Sequence, residues 1–149
     1  MSVDVTTSIV IGRPRQEVFA YAADLDRTAS WYRNITSVEW LTNKPLEVGS
    51  RVAFTANFLG RTLTYTYEVR DLAPSERLVM STEEGPFPMG TTYTWEDEPG
   101  DVTRMTLRNR GEPSGFANVA APVMAGAMRR ANRRDLELLK RLIETEVDR

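Results

Sequence analysis

Residues 115–144 read GFANVAAPVMAGAMRRANRRDLELLKRLIE, and the segment changes character halfway along. Up to Met128 it carries no charge and is built largely of Ala, Gly, Val and Met around Pro122; from Arg129 onward charges fall at about every other position. In the second half Leu136, Leu139, Leu142, Ile143 and Val147 recur at three- and four-residue spacing, and Glu137 stands four residues before Arg141. That pattern predicts a helix with one face on a core and the other in water. The first half presents Phe116, Val119, Ala120, Val123, Met124 and Ala127 on one side, and most of these side chains are small. Pro122, placed inside a helix, removes a backbone hydrogen bond and bends the axis. We read the segment as one long helix lying over a cavity as far as about Met128 and over ordinary core beyond it. A helix rich in Ala and Gly can also pack closely with no void, as protein interiors normally do. The opposite wall decides between these.

That wall is a sheet. At the start of the chain Val3, Val5, Thr7, Ile9 and Ile11 alternate with Asp4, Thr6, Ser8 and Val10, the period of a strand covered on one face. Pro14 suits the first residue of a helix, with Val18, Phe19, Ala22 and Leu25 following at helical spacing. Asp24 or Asp26 can cap a second short helix carrying Trp31 and Tyr32. Between Ile35 and Gly111 come six strand-length runs: ITSVEWLT, VAFTANF, TLTYTYEV, RLVMSTE, TYTWE and VTRMTLRN. The turn signals between them are Gly49-Ser50, Gly60, Pro74-Ser75, the Gly85–Gly90 loop and Pro99-Gly100. Short turns imply antiparallel neighbours. The expected fold is therefore α+β: a seven-stranded antiparallel sheet, two short helices after its first strand, and a long C-terminal helix over the apolar face. Alternation puts Phe54, Ala56 and Phe58 on one face of the third strand, Leu63, Tyr65, Tyr67 and Val69 on one face of the fourth, and Tyr93 with Trp95 on the sixth. Buried Tyr and Trp want partners for their polar tips, so this wall suits an amphipathic organic ligand better than a dry aliphatic core.

Composition narrows the chemistry. The 149 residues, 41% hydrophobic and 27% charged, have the size and balance of one domain, 1–149. There is no cysteine and no histidine, which removes disulfides, the usual zinc sites and the Ser/His and Cys/His nucleophile pairs. No metal or cofactor is expected. A net charge of −2 makes no electrostatic case for nucleic acid. The N-terminus MSVDVTTSIVIGRPRQ lacks the form of a signal peptide, and the uncharged run 115–128 falls short of the roughly 20 apolar residues of a membrane span. A cytoplasmic protein without stable membrane insertion is expected.

The stretch RPRQEVFAYAADLDRTASWY, the spacing to VGSRV, the PSERLV turn, GPFP and the closing RRDLELLKRLIE resemble the START-like (SRPBCC) superfamily over essentially the whole chain. The resemblance is to its polyketide cyclase/dehydrase and lipid-transport branch. It implies a helix-grip fold that binds a hydrophobic small molecule, or else cyclises a poly-β-keto or related carbonyl substrate as an aromatase/cyclase. On the residues above, the ligand contacts expected are Trp31, Phe54, Phe58, Tyr65, Tyr67, Tyr93, Trp95, Phe116, Val119, Val123 and Met124.

Successive turns of a meander alternate between the two ends of the sheet, so Gly60 and the loop bearing Phe87 and Met89 share the end where the long helix begins. These three residues are the expected entrance. An apolar mouth can serve instead as a protein interface, with a homodimer through Phe87 and Met89 as its sign. Tyr65, Tyr67, Tyr93, Asn109, Glu84 and Arg61 are the polar candidates for acid–base work, yet they form no recognisable catalytic constellation. Arg129, Arg130, Arg133 and Arg134 fit a solvated helix face better than a site for anionic lipid or nucleic acid.

Overall fold

The computed structural model describes residues 3–58, 60–84, 88–111 and 121–146. Its strands are β1 (Val3–Ile11), β2 (Ile35–Trp40), β3 (Arg51–Phe58), β4 (Arg61–Ala73), β5 (Arg77–Glu84), β6 (Met89–Glu98) and β7 (Val102–Gly111). Its helices are α1 (Arg15–Ala22), α2 (Thr28–Trp31) and α3 (Ala121–Glu146), with a short 3-10 turn at Leu25–Arg27 before α2. All strand pairs are antiparallel in the order β1-β7-β6-β5-β4-β3-β2. The first strand thus closes against the last, and β2 to β7 form the meander that the turn signals mark out.

Local chemistry sets the boundaries. In β1, Val3, Val5 and Thr7 are buried while Asp4, Thr6 and Ser8 are exposed, so the apolar row faces the helix. Pro14 is the N-cap of α1 and not its first residue, because its ψ of 154° is extended; an N-cap residue normally sits in that region. The Asp24 carboxylate accepts from the Asp26 N–H at 3.2 Å and starts the turn that delivers Trp31 into the core. Strands β4 and β6 run to 13 and 10 residues, beyond their apolar runs, since backbone pairing continues into their polar ends. Register shifts between β4 and β5 at Thr66/Glu68 and Val69/Asp71 mark bulges. Bulges bend and twist a strand, here helping the sheet curl about α3.

The main core gathers Ile11, Val18, Leu25, Trp31, Val52, Val69, Leu78, Trp95, Met105, Leu107, Leu136, Leu139 and Ile143. Leu136, Leu139 and Ile143 are the apolar stripe of the second half of α3, each at most 1% exposed. Val147, from the same expected stripe, lies outside the described residues. That half is also tied down by polar contacts. The Gly12 N–H donates to Glu144 Oε2 at 2.7 Å, the Arg13 guanidinium donates to the Glu144 carbonyl at 2.8 Å, and Lys140 Nζ donates to the Val10 carbonyl at 2.9 Å. A Cβ at position 12 would stand 3.2 Å from Glu144 Oε2, so glycine permits the close approach.

Candidate functional site: a cavity under the first half of the long helix

Toward the other end of α3 the interior opens. Strand β3 contributes Phe54 and Ala56, β4 contributes Tyr65 and Tyr67, β6 contributes Met89, Thr91 and Tyr93, and β7 contributes Asn109. Met124, Met128, Ala131 and Asn132 of α3 form the opposite side, with Thr28, Tyr32, Asn34, Ile35 and Met80 completing the wall. The partly open space has a volume of about 110 Å³, whereas one water needs roughly 10–15 Å³. No lining side chain among the described residues carries a charge.

Aromatic rings make much of the sheet side. Phe54 meets Tyr67 edge-on with centroids 5.6 Å apart, Tyr65 lies 6.2 Å from Tyr67, and Tyr93 lies 6.0 Å from Trp31. Polar tips of this wall join a ladder. The Thr91 hydroxyl donates to Asn109 Oδ1 at 2.7 Å, Asn109 Nδ2 donates to the Tyr32 oxygen at 3.1 Å, and the Tyr32 hydroxyl donates to Asn132 Oδ1 at 3.3 Å. It links β6 to α3 by way of β7 and Tyr32. One helical turn further on, the buried Asp135 accepts from the Arg33 N–H at 3.1 Å.

Burial governs the acid–base properties. It pushes the phenol of Tyr67 up to about 12 against the opposing effect of its hydrogen bond with Thr91. Burial likewise raises Tyr32 and Tyr93, with the neighbouring Asp135 charge adding to both, and burial alone raises Tyr65. All four remain neutral phenols near pH 7. Asp135 is pushed up to about 6, chiefly by burial, while the Arg33 N–H and the Arg134 and Arg33 charges pull it down. It titrates closest to neutrality of these groups, but it does not line the cavity. No cluster of three or more acidic side chains among the described residues could hold a metal ion.

The structure brings Phe54, Tyr65, Tyr67, Tyr93, Met124 and Met89 together around this space. Three other expected contacts stand elsewhere. Trp31 and Trp95 are 0% and 1% exposed and belong to the packed core behind the lining, Trp95 against Phe19 at 5.0 Å and Trp31 behind Tyr93. Val123 is 69% exposed, because the inward stripe of α3 passes through Met124, Met128 and Ala131. The cavity also extends past the expected limit at Met128 to Asn132. Gly60 is exposed at the β3–β4 turn and does not line the space. Phe87, Phe116, Val119 and Ala120 lie outside the described residues, as do the side chains of Phe58 and Glu84.

Sequence reasoning missed Thr28, Tyr32, Asn34, Ile35, Met80, Thr91, Met128, Ala131 and Asn132 as lining residues. A signal for the helix residues was present. Traced backward from Ile143 in steps of three and four, the stripe runs Leu139, Leu136, Asn132, Met128, Met124, so an amide falls where an apolar residue is expected.

A curled antiparallel sheet gripping a long helix over a cavity defines a helix-grip domain. The chain belongs to the polyketide cyclase/dehydrase and lipid transport family, whose model matches residues 2–144. No curated protein matches it. Among solved structures, TTHA0849 from Thermus thermophilus is similar at 19% identity and a TM-score of 0.83, covering 96% of this chain and 98% of that one. The Zhui aromatase/cyclase from Streptomyces sp. R1128 is similar at 17% identity and a TM-score of 0.83, covering 99% and 96%. A START superfamily protein from Mycobacterium smegmatis, at 14% identity, has a TM-score of 0.70 with 97% of each chain covered. At these identities the likeness is one of fold. No helix among the described residues is long and apolar enough to cross a membrane.

Proposed function

We propose that this protein binds or carries a hydrophobic small molecule, such as a lipid or polyketide, as a single cytoplasmic domain. The observation that carries the reading is the uncharged, aromatic- and methionine-lined cavity under the first half of α3. Methionine supports it physically, since an unbranched, polarisable side chain adapts to differently shaped apolar partners. A catalytic alternative draws on the same wall. The Zhui neighbour is an aromatase/cyclase by name, and the buried hydroxyls of Tyr32, Tyr65, Tyr67 and Tyr93 could polarise a substrate carbonyl. Their raised pKa values fit hydrogen-bond donors and not bases near pH 7. Binding is therefore the primary reading.

The test is titration with the neutral fluorophore N-phenyl-1-naphthylamine, alongside native mass spectrometry of protein purified from its own host. Enhanced, blue-shifted emission with saturable binding and a co-purifying apolar molecule are expected. Absence of saturable binding would overturn the reading. For the catalytic alternative, turnover of a poly-β-keto substrate that is lost on changing Tyr65, Tyr67 or Tyr93 to Phe would support chemistry at a hydroxyl.

A further inference from the structure

The polar ladder along the cavity wall has a direction and a loose end. Because Thr91 donates to Asn109, Asn109 to Tyr32 and Tyr32 to Asn132, the Asn132 carbonyl is consumed and its amide N–H groups are left over. Asn132 is 1% exposed, lines the cavity, and its Nδ2 finds no hydrogen-bond partner among the described residues. The same is true of a second lining residue: Thr28 is 3% exposed and its Oγ1 is likewise unpartnered. Native proteins rarely leave such buried groups unmet, since doing so sacrifices their hydration with nothing in exchange. An Asn at the end of a donor chain is moreover polarised by the bonds behind it, which strengthens its remaining N–H.

We propose that Asn132 Nδ2 and Thr28 Oγ1 form a neutral anchor that receives a hydrogen-bond-accepting oxygen of an uncharged ligand, a ketone or similar carbonyl, and selects against carboxylates of the same shape. This rests on the cavity being a binding site and specifies the polar end of what it takes. Selection against anions has two sources. No cationic side chain lines the cavity among the described residues, so a carboxylate would be desolvated without a counter-charge. The buried Asp135 carboxyl, three residues beyond Asn132 on the same helix, adds like-charge repulsion while it is ionised.

Three probes on one ring system test this at pH 8: 2-acetylnaphthalene, 2-ethylnaphthalene and 2-naphthoate, each displacing N-phenyl-1-naphthylamine from the wild-type protein. The ketone is expected to bind about 3- to 10-fold more tightly than the ethyl compound, in line with one or two good hydrogen bonds, and the carboxylate more weakly than both. Asn132→Asp keeps the acceptor for Tyr32 but replaces the free donor by a carboxyl oxygen, and should bring the ketone-to-ethyl preference to one or below. Thr28→Val should reduce that preference while leaving ethylnaphthalene binding within about twofold, and it serves as the test should circular dichroism show Asn132→Asp unfolded. A wild-type protein with no preference for the ketone, or a preference that survives in every folded variant, overturns the anchor while leaving the cavity reading intact. If N-phenyl-1-naphthylamine itself fails to bind, the cavity reading falls and the anchor with it.

Discussion

The two ends of this molecule are built from the same strands and the same helix, yet one is solid and the other hollow. On β6 the inward residues Tyr93, Thr91 and Met89 line the cavity, and Trp95 belongs to the core. On β4 the change falls between Tyr67 and Val69, on β3 between Phe54 and Val52, on β7 between Asn109 and Leu107, and on α3 between Asn132 and Leu136. The solid side is mostly aliphatic with a few large rings, while the hollow side mixes Met, Ala, Tyr, Thr and Asn. Aliphatic branched side chains interdigitate to crystal-like density. Residues with polar tips must keep those tips oriented toward partners, and here they hold one another along the wall of a space. Dense packing and open space are thus assigned to different stretches of the same elements.

The sharpest way to break this contrast is to treat both ends alike. Leu139→Ala, at a fully buried position in the solid end, should cost roughly 2–5 kcal/mol in urea unfolding and leave N-phenyl-1-naphthylamine binding unchanged. A loss below about 1 kcal/mol would mean that this end is no better packed than the other.

A smaller effect is expected at the boundary itself, where Asp135 sits. Its pKa is raised in the folded state from 3.8 to about 6, so the folded protein takes up a proton more readily than the unfolded chain. Its contribution is therefore most favourable below about 4 and is lost as pH rises through about 6. One pKa unit corresponds to about 1.36 kcal/mol; allowing for solvent screening, wild type should gain roughly 1–2 kcal/mol relative to Asp135→Asn between pH 7 and pH 4. Depressed carboxyls such as Asp4, Asp26 and Glu144 act in the opposite sense, but they are common to both proteins and cancel in the difference. A pH-independent difference would place Asp135 in water.

The smallest change in stability should come from Ala131→Trp, which fills the hollow end. Overpacking a dense core typically costs 1–3 kcal/mol, whereas this substitution should cost under about 1 kcal/mol and abolish probe binding. Marked destabilisation with unchanged binding would show that the hollow end behaves as ordinary core.

Much of the fold was legible because each element carries its own punctuation. The alternation of Val3 to Ile11, the glycine and proline turns, and the Leu136–Leu139–Ile143 stripe are local signals. The cavity lining was legible mainly on the sheet, with Met124 the helix residue anticipated. Period-two alternation assigns Tyr65, Tyr67 and Tyr93 to the inner face without further knowledge, since a strand residue has two faces to choose from. A helix residue has a full circle, and a phase for α3 inferred from the small side chains around Pro122 puts Val123 inward in place of Met128 and Ala131. The polar ladder was beyond local reading altogether, because Tyr32, Thr91, Asn109 and Asn132 come from four separated parts of the chain. Trp31 and Trp95 stand behind the lining for a related reason: alternation gives a side chain's face and says nothing of its depth.

That depth has a natural unit. Inward positions on a strand recur every two residues, about 6.8 Å apart, and on β6 the large ring of Trp95 is the first to belong wholly to the core. It backs the floor that Tyr93 forms, so the room in the cavity changes in steps of one strand repeat and not continuously. Moving that floor one position along β6, with matching changes opposite it on β4 and α3, would lengthen or shorten the cavity by about one such repeat while leaving the turns, the sheet order and the Gly12–Glu144 attachment untouched. A lineage carrying this scaffold could change the size of its cavity without having to reinvent how it folds.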